Sequence, residues 1–201
     1  MRIGIVGTGT MASGFARLLS QKHEVWLGSR ETERGKQTAD ETGATGGGSY
    51  ADVVPDADVV ILAVPWTAVE ETLPQLGDLS GKVVIDITNP YVDGRLQPPE
   101  GSSTGEEIQK WLPSAKVVKG WNHMFSDVLT TPVVDGVSAS VMIAGDDQGA
   151  KETVSALARD MGFDPFDVGE MKANRALDQF HEAETGLNFY PNTAFKLFRV
   201  N

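Results

Sequence analysis

The residues Gly7-Thr8-Gly9-Thr10-Met11-Ala12 follow an apolar run, Arg2 to Val6, and lead straight into an amphipathic stretch, Thr10 to Ser20. No other feature of the sequence restricts the fold as much. Two glycines at this spacing between a strand and a helix make a tight turn at Gly7, and at Gly9 they leave the backbone bare for a phosphate to approach. The small residue at Ala12 lets the helix close on the strand. The first turn of that helix then presents unpaired N–H groups and the positive end of its dipole to an anion. Met11, Phe15, Leu18 and Leu19 fall on one helical face, so the stretch has a side to bury.

Beyond this unit, strand and helix patterns keep alternating. Strands are expected at Glu24–Gly28, Asp58–Val64, Lys82–Ile87, Lys116–Gly120, Ser138–Ala144 and Phe163–Val168. Helices are expected at Glu31–Thr42, after Pro65, from the capping box Ser103-Thr104-Gly105-Glu106 to Trp111, and at Asp147–Met161 with Asp146 as cap. Ala44–Tyr50, with three consecutive glycines, reads as a weak strand or a loop, and Asp93–Gly101 as a surface excursion. The run at 58–64 is continuously apolar, as in a strand covered on both faces. The fold class is α/β, a Rossmann-type doubly wound and mostly parallel sheet with a short helical C-terminal tail interrupted near Gly186 and Pro191. No repeat or linker divides the chain. Residues 1–125 read as a dinucleotide-binding core, and 126–201 as an extension of the sheet with a tail on the acceptor side.

Composition narrows the function. Seventeen basic against 28 acidic residues give a net charge of −11, which repels nucleic acid. The absence of cysteine removes disulfides, thiolate catalysis and cysteine-ligated metals. The three histidines, His23, His123 and His181, have no helical pairing, so no metal site is expected. The longest apolar run is too short to span a membrane and the N-terminus enters the glycine loop at once, so the expectation is a cytoplasmic protein with no membrane partner.

Selectivity is encoded after the second strand. A binder of NAD places an acidic residue there for the ribose 2′-hydroxyl. This chain has Gly28-Ser29-Arg30, whose guanidinium and hydroxyl suit a 2′-phosphate, with Thr8 able to assist; Glu31 on a 2′-hydroxyl is the competing reading. Arg34 lies a turn further on. Val64, Pro65 and Asn89 end strands on the side where open α/β sheets bind ligands, and an Asn-Pro turn at 89–90 explains Asn89 equally well. Lys119, Asn122 and His123 follow the next strand; Asn122 and Lys119 are the candidates for chemistry. The alternative pairs Lys119 with a surface carboxylate and gives His123 a local backbone contact. Trp121 and Tyr190 are candidate acceptor contacts.

With these motifs together, the chain resembles the deazaflavin-dependent NADP oxidoreductases and is similar to the NADPH domains of the six-transmembrane epithelial antigen ferric reductases. The resemblance rests on Gly7-Thr8-Gly9-Thr10-Met11, Gly28-Ser29-Arg30, Ala63-Val64-Pro65-Trp66, Val117-Val118-Lys119-Gly120-Trp121-Asn122 and Ala144-Gly145-Asp146-Asp147. It implies NADP(H) as cofactor and hydride exchange with a small-molecule acceptor, either the deazaflavin coenzyme F-420 or FMN or FAD. By position it implies Thr8, Ser29 and Arg30 at the 2′-phosphate, and Val64, Pro65, Asn89 and Asn122 at the nicotinamide ribose. In deazaflavin-using relatives the tail is apolar, whereas here it carries His181-Glu182-Ala183-Glu184-Thr185 and Phe189-Tyr190-Pro191.

Two rival readings remain. One is an imine reductase like the pyrroline-5-carboxylate reductases, which use a long helical domain where about thirty residues follow Val168. The other is a non-catalytic NADP(H) sensor. A homodimer would let the tail complete a neighbour's pocket.

Overall fold

The computed structural model describes residues 1–186 and 194–198. In chain order it comprises β1 (Arg2–Val6), α1 (Thr10–Leu19), β2 (Glu24–Ser29), α2 (Thr32–Thr42), β3 (Gly46–Ser49), α3 (Tyr50–Val53), β4 (Val59–Leu62), α4 (Trp66–Thr72), β5 (Val83–Asp86), β6 (Tyr91–Val92), β7 (Arg95–Leu96), α5 (Thr104–Trp111), β8 (Lys116–Lys119), β9 (Val133–Val134), β10 (Val137–Ser138), β11 (Ser140–Gly145), α6 (Gln148–Asp160), β12 (Asp164–Asp167) and α7 (Asn174–Gly186). Eight strands form one sheet in the order β12-β11-β8-β5-β4-β1-β2-β3. Only the β8–β11 pair is antiparallel. The fold is therefore the doubly wound α/β class expected from the sequence.

The continuous apolar strands serve two cores. In β4, Val59 and Ile61 join Ile3, Ile5, Phe15 and Leu27 on one face of the sheet. Val60 and Leu62 join Val6, Val53, Val84 and Ile108 on the other. The pleat sends alternate side chains to opposite faces, so a strand buried on both shows no polar alternation.

The glycines at 46–48 form a true strand, β3, paired in parallel with β2. A Cβ on Gly47 would lie 2.1 Å from the Gly35 carbonyl oxygen, and one on Gly35 would lie 2.3 Å from that of Gly48. Helix α2 sits directly on β3 with no side chain between them. A backbone contact of this kind leaves no hydrophobic pattern to read.

Several local expectations are corrected. Asp147, not Asp146, caps α6, accepting from the Ala150 N–H at 2.8 Å. Asp146 instead accepts from the Met171 N–H at 2.8 Å, tying the start of the tail to the sheet. Ser138 belongs to the small β9–β10 hairpin, and the sheet strand starts at Ser140. The excursion after Pro90 holds a second hairpin, β6–β7. Trp121 is not an acceptor contact: it is 0% exposed, with its ring edge-on to Phe15 at 5.3 Å and Phe163 at 6.2 Å.

A 3-10 turn at Met171–Ala173 leads into α7, as the helical tail requires. Tyr190, with Phe189 and Pro191, lies outside the described residues. Residues 194–198 return to the sheet, where the Phe195 carbonyl accepts from the Ser140 N–H at 2.7 Å. Among the described residues, no helix is long and apolar enough to cross a membrane.

Candidate functional site

The chain starts in the middle of the sheet, winds out to β3 and then crosses back to β4 on the other side of β1. At this reversal the loops leaving β1 and β4 diverge, and a crevice opens beyond the strand ends. Gly7 makes the turn possible. Its φ is +123°, and a Cβ there would lie 2.3 Å from the Ala63 carbonyl oxygen in the neighbouring loop. Gly9 differs: among the described residues, a Cβ there would meet no atom within 4 Å. Helix α1 opens at Gly9 without a side-chain cap or an acidic residue in its first turn, so its N–H groups face the crevice.

A groove of about 270 Å³ follows this reversal. It is lined by Gly7, Thr8, Gly9, Ser29, Arg30, Val64 and Pro65, all expected from the sequence. Its wall also includes Glu31, Arg34, Tyr50, Ala68 and Thr72. Thr10 and Met11 are not in the lining; Thr10 is exposed at the helix start, and Met11 leans on the core. Arg30 and Arg34 are exposed and make no ion pair among the described residues. Ser29 is mostly buried and accepts from the Glu31 N–H at 3.2 Å, which leaves its own hydroxyl hydrogen free for a ligand. Tyr50 closes the floor; burial raises its phenol above the ordinary value, against a smaller opposing pull from Arg30. A lone tyrosine after a glycine run carries no sequence signal, which is why it was missed.

Asn89 and Asn122 lie one and two strands further along. Leu62 is paired with Asp86, and Asp86 with Lys119, so the ends of β5 and β8 continue the rim begun at Val64 and Pro65. The two amides are joined: Asn89 Nδ2 donates to the Asn122 carbonyl at 2.7 Å, and Asn122 Nδ2 donates to Asn89 Oδ1 at 3.3 Å. Asn89 is half-buried, whereas Asn122 is 1% exposed and also donates to the Leu177 carbonyl on α7. Neither amide is in the lining of the groove; both lie further along the rim, with Asn122 the more deeply buried of the two.

Lys119 is 0% exposed. Its ammonium donates to Asp86 Oδ2 at 2.9 Å, to Thr104 Oγ1 at 2.7 Å and to the Thr88 carbonyl. All three N–H bonds are used, so it cannot hand a proton to a bound ring. Its carboxylate partner, expected at the surface, is buried, and a second carboxylate, Asp178 on α7, lies 3.8 Å away. Burial raises the Asp178 carboxyl above its ordinary range, more than Lys119 lowers it. His123 is buried and faces the Ser140 carbonyl and the Met142 N–H of β11, partners distant in sequence rather than local. Desolvation lowers it to about 4, so it is neutral at pH 7.

The residues fit a dinucleotide. Gly9 leaves a bare cradle at an uncapped helix start, and two unpaired guanidiniums stand where an adenine-side phosphate would lie. Fold and groove together define a dinucleotide-binding α/β protein. Residues 2–90 match the family described as NADP oxidoreductase, coenzyme F420-dependent. A solved structure from Arthrobacter sp. FB24, provisionally assigned as an F420-dependent NADP reductase, is 30% identical, covers 93% of each chain and superposes with a TM-score of 0.83. The F420-dependent NADP reductase of Methanothermobacter thermautotrophicus is 27% identical over 94% of this chain and 89% of its own. Metalloreductase STEAP3 of Rattus norvegicus is 32% identical over 88% of this chain. This chain spans about a third, 36%, of that metalloreductase's length. By its likeness to the Arthrobacter structure over 93% of both chains, the chain belongs to the coenzyme F420-dependent NADP oxidoreductase family.

Proposed function

We propose that the chain passes a hydride between NADP(H) and a planar deazaflavin or flavin acceptor that stacks at the nicotinamide end of the groove. The observation that carries the cofactor half is the pairing of Ser29 with the unneutralised Arg30 and Arg34 on one wall, in a protein of net charge −11. Local cations in an acidic molecule concentrate an anion where they stand. In this reading Thr8, Ser29 and Arg30 hold the 2′-phosphate, with Arg34 as a second guanidinium, and the bare Gly9 turn and the α1 N-terminus hold the pyrophosphate. Val64 and Pro65 support the nicotinamide ribose, Asn89 contacts it, and Asn122 orients Asn89.

The bound dinucleotide supplies the hydride. The chain's task is to hold two rings in register and keep water out, and this needs no acid–base dyad. The rim between α7 and the strand ends supports an acceptor site there: Tyr91 is 37% exposed, and its hydroxyl lies 3.2 Å from His181 Nε2. The name of the Methanothermobacter relative supports a deazaflavin over an imine.

The test is NADPH oxidation against the deazaflavin coenzyme F-420, FMN, FAD, a ferric chelate and pyrroline-5-carboxylate, with NADH as control. Turnover with a deazaflavin or flavin, and faster with NADPH than NADH, is expected. Turnover with the imine alone, or tight NADPH binding without turnover, would replace this reading with a reductase of imines or a sensor. Gel filtration of the same sample tests the homodimer, and the compartment is proposed as the cytoplasm.

A further inference from the structure

A buried charge cluster lies behind the strand ends. Lys119, Asp86, Thr104 and Asp178 are each 0% exposed. Burying an ion pair costs several kcal/mol of desolvation per ion, and apolar side chains of the same size would join β5 to β8 at least as well. What apolar side chains cannot do is orient a peptide. Asp86 Oδ1 accepts from the Thr88 N–H at 2.8 Å, and Lys119 Nζ donates to the Thr88 carbonyl. Both backbone polar groups of Thr88 are therefore held by the two members of one ion pair. The next residue is Asn89, whose amide is shared with Asn122. Helix α7 closes the cluster from outside, with Asp178 Oδ2 accepting from the Thr104 N–H at 3.2 Å.

We propose that Lys119 is a positioning residue for the nicotinamide end of the bound dinucleotide: with Asp86 it fixes the Thr88 peptide and so aims the Asn89 carboxamide at the ligand. This rests on the dinucleotide reading of the groove. Among the described residues, Ser29 and Arg30 at the adenine end share no hydrogen bond or ion pair with the cluster, so a defect in Lys119 falls on one half of the ligand.

Calorimetric titration of wild type and Lys119→Met with NADPH and with adenosine 2′,5′-bisphosphate, which has no nicotinamide, tests the assignment. The bisphosphate affinity is expected to stay within about twofold while that for NADPH falls about tenfold, the equivalent of one good hydrogen bond. Equal losses for both ligands, or no loss for NADPH, overturn it. Asn89→Ala should weaken NADPH binding by a similar factor, and the double variant no further, because one acts through the other; additive losses overturn the coupling. If Lys119→Met does not fold, Thr104→Val removes one acceptor and keeps the ion pair. It should weaken NADPH alone by about threefold, and an unchanged affinity overturns the proposal. A wild type that binds neither ligand would instead refute the dinucleotide reading and this inference with it.

Discussion

Gly7 and Gly9 look alike in the sequence and serve different ends. Gly7 is required by the chain, through a positive φ and a carbonyl 2.3 Å from any added Cβ. A Cβ on Gly9 meets no atom of the described residues, so no packing contact requires a glycine there, and the bare backbone is open to a ligand. Gly7→Ala should cost about 2–4 kcal/mol in urea unfolding, whereas Gly9→Val should cost only the cap, about 1 kcal/mol, and lose dinucleotide binding. Arg30 gives the second residue-scale prediction. A charge-assisted bond contributes about 1.5–3 kcal/mol, so Arg30→Ala should weaken NADPH binding roughly 10- to 150-fold and leave NADH nearly unchanged in the same fluorescence titration. The fold of the loop and the identity of Ser29 and Arg30 were legible because turn, helix start and strand end are local. The Lys119 cluster was not, because its partners come from 33 residues away on β5 and from the distant α7.

Among elements, those with a strong local pattern appeared within a residue or two of where periodicity puts them, and the exceptions share a cause. The α2–β3 contact is backbone on backbone, so β3 carries glycines instead of β-branched residues. Two adjacent aspartates before α6 are equivalent caps by sequence; packing of the tail uses Asp146 for Met171 and leaves Asp147 for the helix. Asp147→Ala should therefore cost about 1 kcal/mol of stability, measured by thermal unfolding. Asp147 also holds Lys116 at 3.2 Å, an exposed pair that adds little.

For the molecule as a whole, one core joins the N-terminal and C-terminal parts: Ile5 and Phe15 share a cluster with Val141, Leu157 and Phe163. A protein cut after residue 125 is expected not to fold, and the whole chain to melt in one transition with equal calorimetric and van't Hoff enthalpies. The pH profile belongs to this scale too. His123 falls from 6.5 to about 4 on folding, so the unfolded chain binds more protons between those values. Its contribution to stability is intact above pH 6.5 and is lost as pH falls towards 4, by about 2–3 kcal/mol at pH 4.5. Asp178, raised on folding, acts oppositely, destabilising the fold as pH rises above its ordinary range. Comparing wild type with His123→Gln isolates the histidine: the variant should lose less stability between pH 7.5 and 4.5 in urea titrations. An equal loss in both would refute it.

The sequence by itself determined the doubly wound α/β class, the strand–glycine–helix unit and the residues that line the groove at the ends of β1 and β2. These depend on hydrophobic periodicity and on contacts between neighbours in the chain. Only the tertiary structure decided that Trp121 belongs to the core, that Lys119 is buried with two carboxylates, and that Asn122 is buried against Asn89. Each of these depends on which strand ends and which helix meet at one point in space, and that meeting is fixed by packing the whole sheet, which leaves no local trace in the order of residues.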